Sequence, residues 1–228
     1  MKYHHVITGK FIKRVNRFLA HVWLEGAEQI VHVKNTGRLK ELLIPGAEVL
    51  LEQSGNPERK TPFSLIGVYK GETLVNIDSQ VPNPVVYEAL TTGAVREIGP
   101  AEHVRKEVKY GNSRFDLYYE TKSKKGFIEV KGVTLEKEGV ALFPDAPTVR
   151  GTRHIYEMME AVENGYQGTI LFLIQMIGVH CFTPHSEMDP EFANALRVAS
   201  QRGVQLLAYD SIVTTNDIVI GKPVEVRL

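Results

Sequence analysis

Gly111-Asn112-Ser113-Arg114-Phe115-Asp116, followed after twelve intervening residues by Glu129-Val130-Lys131, is the stretch on which the reading of this chain turns. Residues two apart on a strand share a face, so Glu129 and Lys131 are neighbours. Thr121-Lys122-Ser123-Lys124-Lys125 reads as a polar hairpin loop joining a strand at Arg114–Glu120 to one at Gly126–Val133. The hairpin register then sets Asp116 on the adjacent strand, facing the same way. Two carboxylates and an ammonium meet at one edge of a sheet. Phe115, Phe127 and Ile128 flank them, and acids embedded in apolar strand sequence are costly to bury unless paired or metal-bound. The bland alternative is a solvated Glu–Lys pair with an unrelated aspartate nearby.

The chemistry follows from the residue types. Neighbouring carboxylates repel unless a cation joins them. Mg²⁺ (or Mn²⁺) suits such a pair, because it takes one or two carboxylates and keeps several waters. A metal so held polarises a phosphodiester and acidifies an attacking water. Lys131 would orient that water or stabilise developing negative charge.

Working outward, Asn83-Pro84 reads as N-cap and first helical position of a helix through Val85, Tyr87, Glu88 and Leu90, ending near Gly93. His103–Lys109 is a further strand candidate. Downstream, a helix is expected from Thr148 to Asn164, closed by Gly165, with Asp145 and Thr148 competing to cap it. Gly168–Met176 is an apolar strand, Asp189-Pro190-Glu191 starts a helix to about Arg202, and Val204–Tyr209 is the last clear strand. The order α-β-β-β-α-β-α-β implies an α/β domain with a mixed sheet flanked by helices.

The first 80 residues differ. Strand-like runs at Phe18–Glu25, Gln29–Lys34, Glu48–Gln53, Ser64–Tyr69 and Thr73–Ile77 alternate with turn signals, with a short helix at Arg38–Leu43. Many short strands around one helix suggest an all-β, OB-fold-like barrel. Two domains are therefore expected, 1–80 and 81–228.

Of the 228 residues, 43% are hydrophobic and 24% charged, as in ordinary globular proteins. Net charge is zero but unevenly spread. Gly9–Glu41 holds seven Lys/Arg against three acids, a net of +4. Ala101–Lys131 holds eight against five, a net of +3, while Tyr156 to the end holds four against nine, a net of −5. Such runs are usually solvated surface, and a basic face opposite an acidic back is also what a phosphate-backbone binder needs. No apolar run is long enough to span a bilayer. The N-terminal residues lack the apolar core of a signal peptide, and the single Cys181 has no disulfide partner, so a cytoplasmic protein is expected.

Asp116 with Glu129-Val130-Lys131 in this element order resembles the PD-(D/E)XK nuclease superfamily. Nearly the full chain resembles the sugar fermentation stimulation protein A family. That resemblance rests on Val33-Lys34-Asn35-Thr36-Gly37-Arg38, Gly111–Asp116, Glu129-Val130-Lys131 and Phe143-Pro144-Asp145-Ala146-Pro147-Thr148-Val149-Arg150-Gly151-Thr152-Arg153-His154. It implies an N-terminal OB-like domain, a nuclease-like C-terminal domain, non-specific DNA binding and a regulatory link to sugar (maltose) metabolism. Carried over, Asp116 and Glu129 are the metal ligands, Lys131 the catalytic lysine, and Glu88 the candidate helix acid, with a plain surface glutamate as its alternative. Phe115 stands where the superfamily usually has proline.

DNA is accordingly the expected partner. Arg150, Arg153 and His154 fall in the first turns of a helix, where backbone N–H groups favour anions; Arg153 could instead pair with Glu157. Arg114 precedes the acidic strand segment. In the first domain Arg14, Arg17, Lys34 and Arg38 supply cations, and Phe18 is either a base-stacking surface or, as strand aromatics usually are, core. His180, Cys181 and His185 lack the spacing of a structural zinc site. Neither a phosphate-binding glycine loop nor a serine elbow is present. The rivals to a nuclease are a non-catalytic DNA-binding regulator and an enzyme acting on RNA or a small phosphorylated substrate. Oligomeric state stays open, a homodimer included.

Overall fold

The computed structural model describes residues 1–228. Six strands build the first domain: β1 (Val6–Arg14), β2 (Leu19–Leu24), β3 (Ala27–Val33), β4 (Glu48–Gln53), β5 (Phe63–Lys70) and β6 (Thr73–Asn76). They run in the order β3-β2-β1-β4-β5-β6, and a parallel pairing of β3 with β5 (His32↔Ser64, Val33↔Leu65) closes the first five into a barrel. Period-two burial drives this. Ala20, Val22 and Leu24 on β2 point inward with Val31 and Val33 on β3. Glu25 and Gly26, both at positive φ, form the tight turn between those strands.

The helix expected at Arg38–Leu43 is one turn only. Leu42 and Leu43 donate to the Leu39 carbonyl, but Leu39 has φ 49°, a left-handed value that ends propagation. Leu39, Leu42 and Leu43 are buried in the barrel core instead. Strand β1 was not anticipated from sequence; Gly9 and the irregular placing of Lys10 and Lys13, three residues apart, mask its alternation.

The second domain comprises α1 (Pro82–Thr92), β7 (His103–Tyr110), β8 (Ser113–Glu120), β9 (Lys125–Val133), β10 (Leu135–Lys137), β11 (Val140–Phe143), α2 (Val149–Glu163), β12 (Gln167–Ile174), β13 (Cys181–Pro184), α3 (Pro190–Gln201), β14 (Gln205–Val213) and β15 (Ile218–Val226). Its nine-stranded sheet has the order β10-β11-β13-β15-β14-β12-β9-β8-β7, with β9, β12 and β14 parallel at its centre. α1 packs Val85, Val86, Ala89 and Leu90 with Ile128, Val130, Leu171 and Leu173 on one face. α2 and α3 cover the other, where Ile155, Met158 and Phe192 meet Phe127, Ile170 and Phe172. The expected mixed sheet with helices on both faces is present, enlarged by β10, β11, β13 and β15.

Thr148 caps α2, accepting from the Gly151 N–H, and Gly165 follows its end at φ 84°. Asp189 caps α3, accepting from Phe192 N. α1 departs from expectation. It begins two residues earlier, behind Val81, with no side-chain cap, so Asn83 lies inside the helix.

Asn76 at the end of β6 donates to the Tyr3 hydroxyl at 2.8 Å, and Gln175 Nε2 donates to the Asn76 carbonyl, Asn76 Oδ1 and the Asp78 carbonyl. These groups are buried and join the two domains. Near the N-terminus, Tyr3 N donates to Asn216 O, and Lys2 bridges Asp217 in the second domain. No helix is long and apolar enough to cross a membrane.

Candidate functional site

Regular strand geometry would place Phe115 and Leu117 on one face. Instead Phe115 packs on the α2 side of the sheet and Leu117 on the α1 side. The strand rolls over at Asp116, across from Glu107, which sits between the paired Lys106 and Val108 at φ 54°. The β8–β9 ladder runs only as far as Leu117↔Ile128. Beyond it the Asp116 carboxylate takes over, accepting from Val130 N–H at 2.8 Å through Oδ2 and from Asn83 Nδ2 at 2.8 Å through Oδ1. Asn83, read from sequence as a cap, is therefore the helix residue that holds Asp116.

Glu129 lies one strand over, its side chain 5% exposed. Its Oε1 accepts from Lys131 Nζ at 2.7 Å and from His154 Nδ1–H at 2.5 Å. A carboxylate only accepts, so Nδ1 carries the proton. Its Oε2 is buried with no partner. Burial pushes the Glu129 pKa up, but the hydrogen bonds from His154 and Lys131 outweigh it and hold the carboxyl below its ordinary value. Asp116 shifts the other way. Burial, then the Glu129 charge, raise it against the opposing Val130 N–H, Asn83 and Lys131. A mutually repelling carboxylate pair, Glu129 buried and Asp116 half-buried, with one orphaned oxygen is a donor set that a hard divalent cation fits. Asp116, Glu129 and Lys131 are brought together as expected.

Other expected site residues lie elsewhere. Glu88 is exposed and pairs with the Met1 ammonium at 3.1 Å. It sits five residues beyond Asn83, roughly 7 Å along the helix and on another side of it, which is why it misses the acidic site. His154 is a buried partner of Glu129 rather than a phosphate ligand. Lys34 is engaged by Glu52 and Asp78, both at 3.2 Å. The Arg14 guanidinium is consumed by the carbonyls of Asn16, Arg17, Asn35, Gly37 and Arg38, and burial pulls its pKa down. Neither Arg14 nor Lys34 is free for phosphate.

Arg17, Arg38 and Arg150 are exposed. Arg114 pairs loosely with exposed Glu107 at 3.3 Å, and Arg153 reaches Glu157 at 3.9 Å, the local pairing its spacing allows. Phe18, read as the more usual core aromatic, is 51% exposed; it belongs to the loop before β2, so strand alternation does not turn it inward. Sequence reasoning missed Asn83, because Asn-Pro is also the ordinary signature of a helix start.

A five-stranded barrel joined to a helix-flanked mixed sheet, with a half-buried aspartate, a buried glutamate and a lysine on two adjacent strands, defines the class: a two-domain protein with an OB domain at its N-terminus. Residues 12–77 match the family model described as "SfsA N-terminal OB domain" and residues 80–217 that described as "Sugar fermentation stimulation protein RE domain". The chain belongs to the sugar fermentation stimulation protein family. A homologue of that name from Alkaliphilus oremlandii is 53% identical over 99% of this chain and 98% of its own length, and one from Clostridium beijerinckii is 49% identical over 100% of both. The solved structure of Pyrococcus furiosus SfsA in complex with Ca²⁺ has a TM-score of 0.89 at 27% identity, covering 100% of this chain and 98% of that one.

Proposed function

We propose that this chain binds DNA without sequence specificity and hydrolyses its phosphodiester backbone with Mg²⁺ or Mn²⁺ at Asp116 and Glu129. The observation that carries this reading is the pairing of half-buried Asp116 with buried Glu129 beside Lys131, with Glu129 Oε2 left without a partner. The Ca²⁺ complex of the Pyrococcus furiosus relative supports a divalent cation here. When bound, the metal would supply an acidified water and a polarised phosphoryl oxygen. The chain's own groups do the rest. Asn83 and Val130 N–H aim the Asp116 carboxylate, His154 fixes Glu129, and Lys131 holds a donor toward the attacking water or the developing charge. The exposed Arg114, Arg150 and Arg153 would neutralise backbone phosphates, giving salt-sensitive binding.

A second reading has its own support. Lys131 and His154 already satisfy Glu129 Oε1, as in a non-catalytic DNA-binding regulator of sugar metabolism that retains the cluster structurally. The test is cleavage of plasmid, single-stranded and branched DNA with Mg²⁺, Mn²⁺ or EDTA, comparing wild type with Lys131→Ala. Metal-dependent cuts lost in the variant support the nuclease. Binding with no cleavage of any substrate transfers the function to the regulator.

A further inference from the structure

At the loop end of the barrel lies a hollow of about 440 Å³. Phe11, Ile12, Leu43 and Pro45 contribute apolar walls; Lys13, Arg17, Arg38 and Lys40 stand around it, and no acidic residue lines it. None of these four cations takes part in an ion pair. Four uncompensated cations around one concavity repel each other and call for an anion. Their placement is prepared in advance. The single Arg14 guanidinium ties the Asn16 and Arg17 carbonyls of one loop to the Asn35, Gly37 and Arg38 carbonyls of another. The loop bearing Arg17 also exposes Val15 and Phe18, 53% and 51% accessible.

An apolar wall inside a cationic rim selects among polyanions. Paired bases hide their faces in the stack and offer a protein chiefly phosphates and groove edges. An unpaired nucleotide offers both a phosphate and an apolar base face. The hollow also leads somewhere. Gly37 lines it and equally lines a polar cleft of about 170 Å³ between the domains, whose far wall includes Gly132, next to Lys131. A Cβ at Gly37 would stand 2.6 Å from Asp145 Oδ2, so the passage is tight at that point.

We infer that this hollow is a subsite for an unpaired nucleotide, and that the barrel takes a single-stranded segment and leads it across Gly37 toward Lys131. This rests on the DNA-binding reading and adds that the preferred substrate class carries single-stranded DNA.

The test is fluorescence anisotropy of a labelled oligothymidylate and of a blunt duplex of equal length, in EDTA across a salt series, with wild type and Arg17→Ala/Arg38→Ala. Both side chains are exposed, and a matching thermal melt verifies that the variant folds. Wild type should favour the single strand, and the variant should lose about tenfold on it. The variant's salt slope on the single strand should be shallower by about 1.4, for two lost phosphate contacts. Equal wild-type affinity for strand and duplex, or a preference undiminished in the variant, overturns the subsite and leaves DNA binding standing. No binding to either DNA overturns both.

Discussion

At the scale of single residues, the two acidic neighbours carry opposite signs. Asp116 is raised above its ordinary 3.8 by burial and by Glu129. Between those two values the folded chain binds more protons than the unfolded one, so stability falls as pH rises through the window. Asp116→Asn removes that cost. In EDTA at pH 7 its urea midpoint should exceed the wild type's, and the gap should close as pH falls through the raised value toward 3.8. Glu129 is depressed below 4.5 by His154 and Lys131, despite its burial. Its contribution is fully present above 4.5 and is lost as pH falls through the lower folded value. Glu129→Gln should therefore lower the midpoint at pH 7. Two variants moving the same way would refute the opposed environments. The grouping of Asp116, Glu129 and Lys131 was legible in sequence because the hairpin register is local, although the roll of the strand at Asp116 was not. Asn83, His154 as a Glu129 partner and the saturation of Arg14 were not legible. Each depends on which helix or loop packs against which strand.

Among the elements, the starts of α2 and α3 behave as capping chemistry dictates, and one residue serves both. Asp189 accepts from Phe192 N through Oδ1 at 2.9 Å and from Thr148 N through Oδ2 at 2.8 Å, and is itself 7% exposed. It thus caps α3 and fastens the start of α2. Asp189→Ala should cost about 2 kcal/mol, above an ordinary cap because a second buried donor is orphaned. Thr148→Ala should cost about 1 kcal/mol. Chemical denaturation of both variants checks the order. α2, α3, β12 and the β8–β9 hairpin were readable because caps, glycine stops and apolar runs agreed there. β15 was not. It contains Gly221 and Pro223, which argue against a strand paired on both sides. The sheet absorbs the proline at an irregularity between Tyr209 and Ser211, where Asp210 accepts from Lys222 N. β10, β11 and β13 are three or four residues long, too short for periodicity to register.

For the whole molecule, the barrel and the sheet share hydrophobic clusters: one runs from Phe11 and Val33 to Phe127 and Phe172, the other from Leu50 and Ile66 to Leu171. A shared core predicts one cooperative unfolding transition, with barrel and sheet signals coincident. Gln175→Ala, which strips three buried bonds at the junction, should lower stability by about 1–3 kcal/mol. A calorimetric scan resolving two separate peaks in the wild type would refute the coupling. Sequence reading expected two domains but could not foresee this seam, because it is built from single side chains far apart in the chain. The pairing of Lys2 with Asp217, and of Tyr3 with Asn216, has a consequence for biosynthesis. Chains emerge from the ribosome N-terminus first, and early domains ordinarily finish folding while later ones are still being made. Here Lys2 and Tyr3 are docked by Asp217 and Asn216, which are translated long after them. The barrel can close as it appears, but the segment leading into β1 stays undocked until residues 216 and 217 have been made, so this contact between the domains forms after the barrel's own strands have paired.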